Sequence, residues 1–194
     1  MTLDDDVARM VGAAIESYGT LDYAHNNAGH GGSPTLLADY TRQEWDRLVA
    51  LNLTAMWACL REEIQVMRDV PGAAIVNTAS TFGLVAVEGM AAYVATKHGV
   101  VGLTRAAALD YAQSGLRINA ICPGATRTPQ LEQFWMDVDP DDPEAVGRQY
   151  VAREPIGRLG TPEEIAAGAV WLCSPAASFV TGHALALDGG WLAQ

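Results

Sequence analysis

The chain has 194 residues, 49% apolar and 18% charged, which gives room for one domain with a real core and excludes a disordered or fibrous chain. Its formal net charge of −11 makes nucleic acid and anionic membrane surfaces poor partners. Cys59, Cys122 and Cys173 are odd in number and widely spaced and the four histidines are scattered, so neither a disulfide framework nor a metal site is expected; with an acidic start that is no signal peptide and no apolar run of spanning length, the chain reads as cytoplasmic.

Helical and strand-like segments alternate along the chain, the pattern of an α/β fold with a parallel sheet and a single domain over residues 1–194. The first helix starts at Asp4 to Asp6, where acidic side chains suit the positive end of the helix dipole. Val7, Met10, Val11, Ala14 and Ile15 give it one apolar face. A short strand, Leu21 to His25, ends in Asn26-Asn27-Ala28-Gly29. Thr41 and Glu44 have capping-box spacing and open a helix with Trp45, Leu48, Val49, Asn52, Ala55 and Cys59 on one side. Ala73 to Thr78 is a short apolar run after Pro71-Gly72 and reads as a buried strand. A long helix covers about Ala92 to Ser114 and stops at Gly115; Leu116 to Cys122 is the next strand, broken by Pro123-Gly124.

Residues 126–154 differ in character, with Asp and Pro gathered at Asp137 to Pro143 beside Phe134-Trp135-Met136. The segment is either a flap over a substrate pocket or a surface insertion. Thr161-Pro162-Glu163-Glu164 starts another helix, and Ala184 to Leu187 is the last strand, before Asp188-Gly189-Gly190.

Chemistry centres on Tyr93 and Lys97, four residues apart and so on one face of the long helix. A lone Tyr-x-x-x-Lys is weak evidence, since a packed tyrosine and a solvated lysine would look the same. Its surroundings strengthen it. Ser80 lies just beyond a buried strand and 13 residues before Tyr93, so strand end and helix can face one cleft. Asn52 sits in a helix among apolar residues, where asparagine has poor propensity.

Together these pieces resemble the short-chain dehydrogenase/reductase family over essentially the whole chain. The matching motifs, in order, are Asn26-Asn27-Ala28-Gly29, Asn52-Leu53-Thr54, Ile75 to Ser80, Tyr93 to Lys97, Arg117 to Gly124, and Thr181-Gly182 with Asp188-Gly189-Gly190. The resemblance implies a Rossmann-like α/β/α sandwich and hydride transfer between NAD or NADP and an alcohol or ketone. It makes Tyr93 the general acid/base, with Lys97 favouring its ionised form, since a free tyrosine has a pKa of about 10. Ser80 would hold the substrate oxygen, and Asn52 would order a proton-relay water. Asn26, Ala28, Gly29, Tyr93, Lys97, Pro123, Gly124 and Thr128 would line the cofactor. The family commonly forms homodimers or homotetramers through the helices that here carry Asn52 and Tyr93.

The family's usual start, a strand followed by a glycine-rich phosphate loop, has no counterpart here. The one early glycine cluster, Gly29 to Gly32, is followed by Pro34 and no helix start. By this comparison about the first three strands are missing, the chain is N-terminally truncated, and dinucleotide binding is in doubt. Two other readings stay open at this stage: a cofactor-independent isomerase, lyase or cyclase using the same acid/base set, and a non-catalytic subunit completing an assembly through an open sheet edge. Neither His25 nor Trp191 declares a role: His25 suits a buried, satisfied histidine, and Trp191 either a subunit contact or a neighbouring pocket.

Overall fold

A computed structural model describes residues 4–194 as one four-stranded parallel sheet with helices on both faces. In chain order the elements are α1 (Asp4–Tyr18), β1 (Tyr23–Asn26), α2 (Arg42–Val49), α3 (Ala55–Met67), β2 (Ala74–Thr78), α4 (Ala91–Tyr111), β3 (Arg117–Pro123), α5 (Pro129–Val138), α6 (Pro143–Val151), α7 (Pro162–Cys173) and β4 (Ala184–Leu187). The strands lie in sequence order, β1-β2-β3-β4, with Tyr23 opposite Ala74 and Ala74 opposite Arg117. Among the described residues no helix is long and apolar enough to cross a membrane.

Successive strand residues point to opposite faces, so two separate cores form. Ile75, Ile118 and Ala120 face α3 and α4, where they meet Met56, Leu60, Ile64, Val100 and Ala108. Val76 and Ile121 face the other way, onto Ala169 and Leu172 of α7. Burial on both faces explains why β2 and β3 are continuous apolar runs rather than alternating ones.

Most expected elements appear within a residue or two of their place. The first strand is shifted, to Tyr23–Asn26, because pairing with β2 starts at Ala74. The helix after Thr41, whose capping box forms, is interrupted by a π turn at Ala50–Thr54, where Ala55 N–H bonds Ala50 O. Residues 126–154 prove to be two short helices, α5 and α6, closed on each other by buried Trp135 and Val146 with Leu159.

Candidate active site

Loops that follow all four strands converge on one cleft of about 660 Å³. His30 to Pro34 come from the β1 end, Ser80 to Phe82 from β2, Gly124 to Thr128 from β3, and Trp191 from β4. Carboxyl ends of parallel strands are where open α/β sheets gather ligands, since the connections there are free to carry side chains.

α4 sets Tyr93 at this cleft and Lys97 one turn deeper. Gly83 lets the loop after Ser80 lie close to that helix: a methyl group there would stand 2.8 Å from the Lys97 carbonyl. Lys97 is 3% exposed, and its Nζ donates to Thr78 O at 2.8 Å. Burial pushes its ammonium down to about 8, with Cys122 a smaller opposing influence. Burial also raises the Tyr93 phenol, and the facing Ser80 hydroxyl opposes that rise.

Burial and the neighbouring cation act on Tyr93 in opposite directions: burial raises the phenol, and Lys97 favours its ionised form. Lys97 Nζ lies 5.6 Å from the Tyr93 ring centroid, over the ring, where the π face attracts it. Burial of the phenol favours its protonated form. A buried, protonated phenol beside a hydroxyl is arranged to donate a proton to a carbonyl oxygen.

The π turn buries Asn52, which is 1% exposed. Its amide grips the backbone of His30 twice: His30 N–H donates to Oδ1 at 2.9 Å, and Nδ2 donates to His30 O at 2.8 Å. Gly29 is wedged against both groups, since a methyl on it would lie 3.2 Å from Asn52 Oδ1 and 3.4 Å from Lys97 Nζ. Asn52, Gly29, Lys97, Tyr93 and Ser80 therefore belong to one neighbourhood, although they come from four separate stretches of chain.

The other expected cofactor positions divide. Gly124 and Thr128 line the cleft, and the Thr128 hydroxyl also caps α5 by accepting Leu131 N–H. Pro123 closes β3, and Ala28 is exposed in the turn after β1. The Asn26 side chain points elsewhere: Nδ2 donates to Glu63 Oε2 at 2.8 Å and to Asn77 Oδ1 at 3.1 Å, so only its backbone is left to meet a cofactor.

Aromatic residues form one wall. Phe82 packs edge-to-face on Tyr93 and on Trp191, at 6.5 and 5.7 Å between centroids, and Trp191 lines the cleft. The Phe134-Trp135-Met136 run splits as a helix demands: Phe134 lines the cleft, Trp135 is buried beneath it, and Met136 is half-exposed. His25 is exposed rather than buried, and its Nε2 lies 2.9 Å from Thr78 Oγ1 at the strand end. Sequence reading did not single out Phe82, His30, Arg153 or Glu154. His30 directly follows one motif and Phe82 lies two residues beyond another, so both were findable by adjacency. Nothing local marks Arg153 and Glu154, which reach the cleft only because α5 and α6 fold over it.

A sequence profile described as "Enoyl-(Acyl carrier protein) reductase" matches residues 1–192. Cyclohexanol dehydrogenase of Acinetobacter sp. (strain SE19) is 40% identical over 190 residues, covering 98% of this chain and 71% of that protein. The crystal structure of levodione reductase superposes with a TM-score of 0.95 at 37% identity, over 99% of this chain and 74% of that one. ElxO with NADP bound superposes with a TM-score of 0.90 at 32% identity, over 100% of this chain and 76% of that one.

Proposed function

Because the chain belongs to the short-chain dehydrogenase/reductase family, we propose that it is an NAD(P)-dependent oxidoreductase of alcohols and ketones in which Tyr93 exchanges the proton with the substrate oxygen. The observation that carries this reading is the buried Tyr93 phenol facing Ser80 in the cleft, with Lys97 over its ring. In the reducing direction the phenol donates its proton to the carbonyl oxygen. The Ser80 hydroxyl hydrogen-bonds the same oxygen and stabilises the charge growing on it. Lys97 lies next in the path by which the phenol regains a proton, and Asn52 holds the His30 backbone in place beside it.

The nicotinamide half of the dinucleotide fits the residues present. Lys97 spends one N–H on Thr78 O, which leaves two for the hydroxyls of a ribose, and Gly29 leaves the approach to it open. Gly124 and Thr128 lie across the cleft, suited to the carboxamide side. Bound there, the nicotinamide would supply or accept the hydride. The solved relative ElxO holds NADP, and the chain spans about three quarters of that relative. Choice between NAD and NADP lies outside what these residues touch.

The test is titration with NADH and NADPH, followed by turnover of a panel of alcohols and ketones by the wild type and Tyr93→Phe. Wild type should bind a reduced nicotinamide saturably and turn over, and the variant should bind equally well but lose about 10²- to 10⁴-fold in turnover. Undiminished turnover in Tyr93→Phe would remove the reading.

A further inference from the structure

The cleft holds a carboxylate for which the proton-transfer scheme has no use. Glu154 is 9% exposed and sits where three of the cleft's loops meet. A methyl on Gly189 would be 3.6 Å from its Oε2, and the Ala125 backbone N–H faces the same carboxylate. Among the described residues no arginine, lysine or histidine is within ion-pairing distance of Glu154 and no side chain donates a hydrogen bond to it, although Arg153 is adjacent in sequence. Asp188 lies near enough to repel its charge, and burial raises its pKa. An ionised carboxylate has room for about four hydrogen bonds, so one facing amide leaves most of that capacity open towards the cleft.

We propose, resting on the oxidoreductase reading above, that Glu154 is a specificity-determining residue whose carboxylate accepts a hydrogen bond from a second hydroxyl on the substrate, so that the cleft selects neutral substrates carrying two oxygen functions. Phe82, Trp191 and Phe134 supply an apolar wall for the carbon frame, while Ser80 and Tyr93 take the reacting oxygen. Glu154 then fixes the far end of the molecule. The same cleft disfavours an anionic thioester of the acyl-carrier kind: Glu88, Asp137 and Glu154 line its wall beside Arg153. A site built to bond a hydroxyl discriminates strongly against the analogue that lacks it, because the protein's own polar group is then buried unpaired.

Trp191 reports on the cleft, so binding can be read from tryptophan fluorescence and calorimetry, with and without reduced nicotinamide. The ligands are cyclohexane-1,2-diol, cyclohexane-1,4-diol, cyclohexanol and a 3-hydroxyacyl-CoA. At least one diol should bind about ten- to a hundredfold tighter than cyclohexanol, and the thioester should bind worst. Glu154→Leu should erase the diol advantage while cyclohexanol binding stays, which also shows that the variant is folded. Glu154→Gln, whose amide oxygen still accepts, should keep part of it. Equal binding of diol and cyclohexanol by the wild type, binding of neither, or a diol preference that survives in Glu154→Leu overturns the proposal. Parallel NAD(P)-coupled assays separate the two ideas: a Glu154-dependent diol preference without any turnover sinks the oxidoreductase reading alone, and turnover without that preference sinks the role of Glu154 alone.

Discussion

Lys97 is the only lysine in the chain, and it is placed where a cation is costly. Its pKa falls from 10.5 to about 8, so folding disfavours the charged form. That cost is present at pH 7, where the ammonium must stay charged in the fold. It fades as pH rises through 8 towards 10.5, where the unfolded chain also gives up the proton. Lys97→Met should therefore stabilise the protein at pH 7 by about 1–2 kcal/mol, after allowing for the lost bond to Thr78 O, and the gain should vanish near pH 10. Urea denaturation at the two pH values checks this. A gain in stability with loss of turnover is the mark of a residue kept for chemistry. The Tyr93–Lys97 pair was legible in the sequence because a four-residue spacing places both on one helix face. Its electrostatics were not: the sequence supplies the cation that favours a tyrosinate, while the burial that raises the phenol is a property of the packed molecule.

Among the elements, α7 is held by a group far away in sequence. Arg117, at the start of β3 and 8% exposed, sends its guanidinium to the carbonyls of Leu172, Cys173, Ser174 and Ala177. These carbonyls lie at the negative end of the helix and in the turn beyond it, so one cation ties both together. Arg117→Met should cost about 2–4 kcal/mol, visible as a lower urea midpoint with an unchanged slope. Caps that depend on neighbours in sequence were readable in advance, as at Thr41 and Thr161, whose capping boxes form. The π turn around Asn52 was not readable, because nothing in local propensity marks the extra residue. It exists because Asn52 finds the His30 backbone on one side and Thr96 on the other.

For the molecule as a whole, the most consequential buried charge outside the cleft is Glu63, 3% exposed between α3 and the β1–β2 edge. Burial lifts its carboxyl from 4.5 to about 7, against the opposing hydrogen bond from Asn26. A raised carboxyl favours folding only while protonated, so its contribution is complete below pH 4.5 and is lost as pH rises through 7. Glu63→Gln keeps an acceptor for Asn26 and removes the charge. It should match the wild type near pH 5 and exceed it by about 1–3 kcal/mol at pH 8, read from thermal or urea unfolding.

By itself the sequence determined the fold class, most element positions along the chain and the family, because apolar periodicity, capping residues and short motifs act over a few neighbouring positions. It also determined which tyrosine and lysine share a helix face. Tertiary structure alone decided that Asn26 turns to the core, that Trp135 packs while Phe134 faces the cleft, and that Glu154 stands there without a cation. Those outcomes depend on contacts between residues tens of positions apart, and burial and charge at such places are properties of the packed molecule that no local stretch of chain carries.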